Sequence, residues 1–311
     1  SLIRGYFQLL GIPAEFHIVE ERELDVLRIR TVRELIDEEY VKGEDRFFDL
    51  VELLSSTRGD QGLERNILKL YDFVRNHPFY EEWMERVLAE YDAERPLEET
   101  QWAAILLDHA ADALDYCLEL NRTALSLIRG DVEMEKAYLG AFLSDSLCLT
   151  SCRKALESRD WDVCRRASEG IVFERLGTLG KKYPDPEKKK KVQALRQEVK
   201  DLVQKQLREG CFFMDSAQYR QDMEYQEPMI RKLFELTGRF GQKLSEAKLE
   251  RSLLDFGDLE HYALELLYQP DGRGGHLPGP VAREVSGQYQ EILVDEYQDT
   301  NDAQEMIFQA V

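Results

Sequence analysis

Long apolar runs are absent from this 311-residue sequence, and histidine, proline and cysteine are scarce. No apolar run approaches the roughly 20 residues that a membrane-spanning helix needs. The five histidines are scattered without the spacing of metal ligands, which disfavours a histidine-based metal centre. The five cysteines are an odd number without tight spacing, so the sequence favours free thiols in a reducing compartment, the cytoplasm, over a disulfide framework.

A phosphate-binding loop of the form Gly-x-x-x-x-Gly-Lys-Ser/Thr also does not occur in the sequence. The segment from Gly177 to Lys181 comes nearest, but its glycines have the wrong spacing and Lys182 stands where Ser or Thr is required. Without such a loop, the β and γ phosphates of a nucleotide lack their backbone cradle and their lysine. We therefore expect no cofactor-binding residues of this kind in the chain, and no bound ATP.

Positive charge is in deficit, because the net charge is -20. That value disfavours nucleic acid, whose affinity for proteins comes largely from Lys and Arg beside phosphates. The charge is unevenly distributed, however. Residues 181–208 hold ten Lys/Arg and four Asp/Glu, a local net charge of +6. One basic segment thus lies inside an acidic molecule.

Apolar residues recur with a period near 3.6 through most of the chain, which predicts a mainly α fold of helices in antiparallel hairpins. A brief extended stretch is expected at 16–19, and loops at 177–186 and 269–280, where Gly and Pro cluster. The predicted helices span 2–10, 21–40, 47–54, 63–74, 80–91, 96–128, 134–156, 161–176, 187–208 and 219–254.

The C-terminal end differs from the helical body. Residues 291–294 form a short apolar run that is typical of a buried parallel strand, and Asp295 and Glu296 follow at once. Adjacent carboxylates at the end of such a strand suit a magnesium-nucleotide site, where one acid holds Mg²⁺, often through water, and the next activates the attacking water. Asn301 is then expected to cap a helix, with Gln304 at the capping-box position.

The string Asp-Glu-Tyr-Gln-Asp-Thr-Asn at 295–301 resembles motif II, the Walker B sequence of UvrD-like superfamily-one helicases. An acidic pair alone would equally fit a helix-entry loop, but seven consecutive positions favour the helicase family. The resemblance implies that Asp295 is the Mg²⁺ ligand, that Glu296 is the catalytic base, and that Gln298 couples the γ-phosphate or DNA.

A second segment, Leu254 to Tyr262, resembles the Asp-Phe-x-Asp-Leu sequence that precedes motif II in those helicases and lies near their single-stranded DNA path. It implies a DNA role for Asp255 and Asp258. The alternative is a plain helix start in which one of these acids is the N-cap. Looser similarity at 2–19 and 173–200 is closest to the AddA/RexA branch of ATP-dependent helicase/nucleases.

That resemblance implies an ATP-dependent DNA helicase with exonuclease activity, which unwinds and degrades DNA ends in double-strand break repair and recombination. It also implies Mg²⁺ and ATP as cofactors. The implied partners are duplex and single-stranded DNA and a second protein of the AddB/RexB type. Because Ser1 is not an initiator Met and no phosphate-binding loop is present, we expect an internal fragment that is inactive alone. The family would supply the missing nuclease domain.

By the same resemblance, residues 1–20 and 251–311 are expected to be remnants of the α/β P-loop motor domain 1A, and 21–250 a helical 1B insertion domain. The strand at 291–294 would then lack its partner strands, so we expect it to pack in a non-native way or to be poorly ordered.

The basic segment is predicted to contact duplex phosphates, as insertion domains of this family do, because phosphate contacts need charge and reach alone. The residues concerned are Lys181, Lys182, Lys188, Lys189, Lys190, Lys191 and Arg196. The alternative is a solvated helix face whose lysines offset neighbouring acids. For the whole chain, the alternatives are a UvrD-like helicase without a nuclease and a non-enzymatic helical interaction module.

Overall fold

The computed structural model describes residues 2–55, 59–180 and 183–311, and most of them are helical, which confirms the mainly α prediction. The longer elements are α1 (Leu2–Gly5), β1 (His17–Ile18), α2 (Glu21–Lys42), α3 (Asp45–Leu54), α4 (Gln61–Val74), α5 (Tyr80–Ala89), α6 (Gln101–Ile128), α7 (Val132–Met134), α8 (Gly140–Ala155), α9 (Trp161–Glu169), α10 (Pro186–Leu202), α11 (Ser216–Leu249), β2 (Leu253–Leu254), α12 (Phe256–Leu267), β3 (Tyr268–Pro270), β4 (His276–Pro278), α13 (Pro280–Ser286) and α14 (Asp302–Ala310). Short 3-10 turns occur at Leu97–Glu99, Leu156–Ser158 and Tyr297–Asp299, and π-helical turns at Glu135–Leu139 and Val203–Cys211.

The chain forms two compact units, one of residues Ser1–Tyr91 with Gln226–Val311 and one of Asp92–Tyr225. These boundaries differ from the predicted ones at 20/21 and 250/251. The reason is that α2, α3 and α4 share a core with the C-terminal half of α11, so they belong to the first unit. The names 1A and 1B, and the antiparallel arrangement of the hairpins, stay predictions.

The first unit is held together by separate apolar clusters. The largest joins α2, α3, α4 and α11 and contains Leu27, Val32, Leu35, Ile36, Phe47, Leu50, Leu63, Ile67, Tyr71, Leu236, Phe240 and Leu244. Another joins both chain ends through Ile3, Ile12, Phe16, Leu254, Ala263, Leu266, Leu267, Ala282 and Ala310. Strand β1 also pairs in parallel with β2, so residues far apart in sequence meet where α12 begins.

The second unit is built around α6, which contacts α8 and α10. Its main buried cluster consists of Ala124, Leu125, Ile128, Met134, Tyr138, Phe142, Leu179, Tyr183 and Val192. The predicted helix at 161–176 ends at Glu169, because Gly170 closes it and the buried Ile171 and Leu179 belong to the following loop. Similarly, the predicted helix at 2–10 is regular only over α1. None of the described helices is sufficiently long and apolar to span a membrane.

Candidate carboxylate site and nucleic-acid surfaces

Residues 291–294 do not form the predicted strand. They lie in irregular, exposed backbone, and the Leu293 side chain is 91 % exposed. The physical reason is that a parallel strand needs hydrogen-bonding neighbours, and within residues 2–55, 59–180 and 183–311 no strand lies beside this segment. The apolar run therefore ends in an open turn instead of at the edge of a sheet.

The acidic turn itself brings three predicted site residues together. The Asp295 carboxylate accepts a hydrogen bond from the backbone N–H of Glu296 at 3.0 Å. Glu296 has left-handed backbone angles, φ 50° and ψ 40°, which are uncommon for a residue with a side chain and re-aim its carboxylate. The Gln298 side-chain amide donates to that carboxylate. The turn thus presents two exposed carboxylates and an amide to solvent.

This turn is anchored by the helix that follows it. Asn301 caps α14, since its side chain accepts from the Gln304 backbone N–H at 2.8 Å and Gln304 answers with the reciprocal contact, so the predicted capping box is confirmed. The Gln304 side chain also donates to Glu260 of α12 at 2.7 Å. Helix α12 therefore holds the start of α14, and with it the acidic turn.

The donor chemistry of the turn fits Mg²⁺. In the part of the chain that the structure describes, no cluster of three or more His, Cys, Asp or Glu side chains could cage a metal ion. Mg²⁺ does not need such a cage, because it is usually held by one or two carboxylates together with water and phosphate oxygens. Asp295 and Glu296 are exposed carboxylates of that kind.

Asp255 and Asp258, predicted near DNA, lie in a largely buried ion cluster. The Lys248 ammonium lies 2.6 Å from a carboxylate oxygen of each, and its side chain is 1 % exposed. The Arg75 guanidinium lies 3.2 Å from the Asp258 carboxylate. Burial would raise the pKa of Asp255, but Lys248 outweighs burial and holds that pKa below its ordinary value.

These two acids also form the capping box of α12, in which each side chain accepts a backbone N–H of the other residue. The structure thus fits the alternative interpretation of this segment, a capped helix start. Their carboxylates are committed to Lys248, Arg75 and the backbone, which leaves little for a direct contact with nucleic acid. They instead fix the residue between them, Phe256.

Phe256 is a candidate contact that the sequence reasoning missed. Its side chain is 72 % exposed, although it stands at the first position of α12. It borders a cavity of about 440 Å³ that Arg28, Tyr71 and Arg75 also line. An exposed ring beside guanidinium groups is suited to stack on a nucleobase and to neutralise phosphate. The sequence signal was present, since an aromatic residue follows an N-cap Asp where a solvent-exposed residue is usual.

The basic residues of α10 do not all face solvent. Lys188 is half-buried and forms an ion pair with Asp131 at 3.0 Å, so its charge is already partnered. Lys190 and Lys191 are exposed, and Lys189 is partly exposed. These three form an open basic surface, which we call the α10 lysine face. Lys181 and Lys182 lie outside the described residues.

Arg196 does not belong to that face. Its side chain is 4 % exposed and forms two hydrogen bonds with Asp145, at 2.6 and 2.9 Å. A third hydrogen bond reaches the Glu174 carbonyl oxygen at 2.8 Å. Contrary to the sequence-based expectation of a DNA contact, the guanidinium lies inside the second unit. The 3.6-residue periodicity places Arg196 in line with the buried Val192 and Val199.

Comparison with known proteins adds an independent line of information. The family described as UvrD/REP helicase N-terminal domain matches residues 1–311. The chain is 33% identical over 315 residues to the AddA-type ATP-dependent helicase/nuclease of Geobacillus kaustophilus, covering 100% of the chain and 25% of that protein. The protein of the same name from Lachnoclostridium phytofermentans is 34% identical over 318 residues, covering 100% and 23%. The chain thus spans about a quarter of the curated relatives that it matches.

Proposed function

The chain belongs to the UvrD/REP helicase N-terminal domain family, and on this premise we propose that it is part of an ATP-dependent DNA helicase and exonuclease that processes DNA ends in double-strand break repair and recombination. The observation that carries the proposal is the exposed turn at 295–301, whose carboxylates precede a capped helix. The nuclease activity rests on the names of the relatives, so a UvrD-like helicase without a nuclease is the second candidate.

In this proposal, Mg²⁺ with ATP supplies charge neutralisation at the transferred phosphoryl group. Asp295 holds the metal through water, and its oxygen that is bonded to the Glu296 N–H keeps the carboxylate oriented. Glu296 orients the attacking water and accepts its proton. Gln298 hydrogen-bonds the Glu296 carboxylate and thereby sets its direction. The chain contains no Gly-x-x-x-x-Gly-Lys-Ser/Thr loop, so we expect it to hydrolyse no ATP by itself.

For DNA, we propose two separate surfaces, each described within its own unit. The α10 lysine face contacts duplex phosphates, and Phe256 with the adjacent cavity contacts a single strand. Arg28 and Arg75 at that cavity are each paired with an acid, so the ring supplies more of the affinity than charge does. The partners are therefore DNA and, as in AddA-type proteins, a second protein of the AddB/RexB type. The free cysteines of the chain, four of them buried, suit a reducing compartment such as the cytoplasm.

Substitution of the α10 lysine face is expected to weaken duplex binding. When Lys189, Lys190 and Lys191 are replaced by Glu, the affinity of the chain for a forked duplex should fall, because phosphate contacts and released counterions are lost. The slope of log K against log[salt] should become shallower by about 0.9 for each lost contact. Fluorescence anisotropy at low and physiological salt measures both quantities.

The control for that experiment is Lys188→Glu, which changes the adjacent lysine whose charge is already paired with Asp131. It should leave the salt slope unchanged. If the triple variant binds a forked duplex with unaltered affinity and slope, the lysines are a solvated helix face and the duplex assignment is wrong.

Phe256→Ala is expected to weaken single-strand binding by about 5- to 150-fold, the range that corresponds to loss of one base–aromatic stack. Phe48→Ala removes another exposed ring of the same unit, on α3, and should have no effect. Titration of a labelled poly(dT) oligonucleotide tests both variants. Equal affinities of Phe256→Ala and the unmodified chain would remove Phe256 from the DNA surface.

A further inference from the structure

Three consecutive residues after α4, Arg75, Asn76 and His77, contact the starts of both α12 and α14. We infer that this segment, which carries none of the recognised helicase motifs, positions both helix starts in one arrangement. Its importance rests on the proposed function, because α12 begins with Phe256 and α14 follows the acidic turn. The three residues are positioning residues, since none of them is proposed to touch DNA or nucleotide.

Arg75 holds the start of α12 from two directions. Its guanidinium lies 3.2 Å from the Asp258 carboxylate and 3.7 Å from that of Asp255, the two capping-box residues. Its carbonyl oxygen lies 2.9 Å from Nε2 of His261, one turn further along α12. The absence of a side chain at Gly257 permits this approach, because a Cβ there would lie 2.7 Å from the guanidinium.

Asn76 and His77 hold the start of α14 in the same way. The Asn76 carbonyl oxygen accepts the Ala303 N–H at 3.0 Å, which satisfies one of the donors that a first helical turn leaves without an intrahelical partner. The Asn76 side-chain oxygen lies 3.4 Å from the side-chain amide of the N-cap, Asn301. His77 lies 3.3 Å from the Asp302 carboxylate, and its ring stacks on Trp83.

The physical consequence follows from chain geometry. Successive Cα atoms are about 3.8 Å apart and the peptide unit is planar, so the Arg75 and Asn76 carbonyl groups cannot shift independently by much. Movement of the α12 start that displaces Arg75 must therefore displace the carbonyl that holds Ala303. A direct contact also exists between Glu260 and Gln304, which gives the competing explanation that α12 and α14 position each other without the segment.

The test measures amide hydrogen exchange in the chain without DNA or nucleotide, so its outcome is independent of whether the proposed function is correct. In Arg75→Gln, exchange at Asp258 and Leu259 should rise. The diagnostic readout is α14: exchange at Ala303 and Gln304 should also rise by about fivefold, the factor that corresponds to one lost hydrogen bond. The Arg75 guanidinium pairs with the acids of α12, so a role confined to α12 would not move that readout.

A second variant and a rescue keep the test sharp if Arg75→Gln folds poorly. Asn76→Leu removes the side-chain contact with Asn301 and should raise exchange at Ala303 and, through the segment, at Asp258. Asn76→Asp retains the acceptor and places a negative charge near an α-helix N-terminus, so it should restore unmodified exchange. Asn66→Leu, whose side chain bonds within α4, is the matched control and should leave α12 and α14 unaffected.

Two outcomes would overturn the inference. One is a rise in exchange confined to α12 in Arg75→Gln and to α14 in Asn76→Leu, which would leave the Glu260–Gln304 contact as the sole connection. The other is an equal rise throughout the chain, including the β3–β4 hairpin, which would mean general loss of stability. A rise restricted to the two helix starts, with rescue by Asn76→Asp, supports the positioning role.

Discussion

Replacing Glu296 by Gln in the full-length protein, of which we propose this chain is a part, should lower kcat for DNA-stimulated ATP hydrolysis by about 10²- to 10⁴-fold, the usual contribution of a positioned general base. The amide retains the shape of the carboxylate and its contact with Gln298 but cannot accept a proton from water. ATP affinity should change little, since the carboxylate acts on the water and contacts no phosphate. Steady-state ATPase assays over a range of ATP concentrations separate the two parameters.

The folded state should tolerate this substitution. Glu296 is exposed and lies in a turn, so the unfolding free energy should stay within about 0.5 kcal/mol of the unmodified value. Glu291→Gln is the matched control, because it makes the same chemical change on an exposed carboxylate five positions upstream. That control should retain full activity. A Glu296→Gln protein with more than about a tenth of the original kcat would exclude Glu296 as the catalytic base.

Arg196→Met is expected to lower the unfolding free energy of the chain by about 3–5 kcal/mol, the usual result of leaving one partner of a buried ion pair without its countercharge. Asp145 is 1 % exposed, and the two hydrogen bonds to Arg196 compensate for its burial. Chemical denaturation followed by circular dichroism measures the change. Arg153→Met is the matched control, because its partner Asp115 is exposed and such pairs contribute at most about 1 kcal/mol.

The double variant Asp145→Leu with Arg196→Met distinguishes the lost charge partner from lost packing. It removes both charges together, so most of the stability should return, as it does when buried ion pairs are replaced by apolar residues of similar volume. Duplex affinity of the folded double variant should equal that of the unmodified chain. If Arg196→Met loses DNA affinity while its unfolding free energy is unchanged, the sequence-based assignment of Arg196 to DNA is correct and the structural role is wrong.

The sequence by itself determined the elements whose signals are local. Helical periodicity is a local signal, and it predicted the mainly α fold and the positions of most long helices. The heptapeptide at 295–301 identified the helicase family, and the confirmed family membership agrees with it. The Asn301 capping box was also predictable, because an N-cap and its partner lie three residues apart and need no tertiary contact.

Only the tertiary structure decided which charged residues are available at the surface. Lys188 and Arg196 belong to the same basic helix as Lys190, but Asp131 and Asp145 are brought to them from distant positions in the chain. Sequence spacing carries no record of such partners. Burial likewise decided that the two α12 acids bind Lys248 and Arg75, while Phe256 between them faces solvent.

The division into units and the missing strand have the same kind of cause. Residues 21–91 join the first unit because their apolar faces pack on α11, a contact between segments about 200 positions apart. The apolar run at 291–294 has the composition of a strand, yet a strand forms only when a neighbour supplies hydrogen bonds. The sequence therefore determined local conformation and family, whereas long-range packing and pairing decided which of the predicted site residues face solvent.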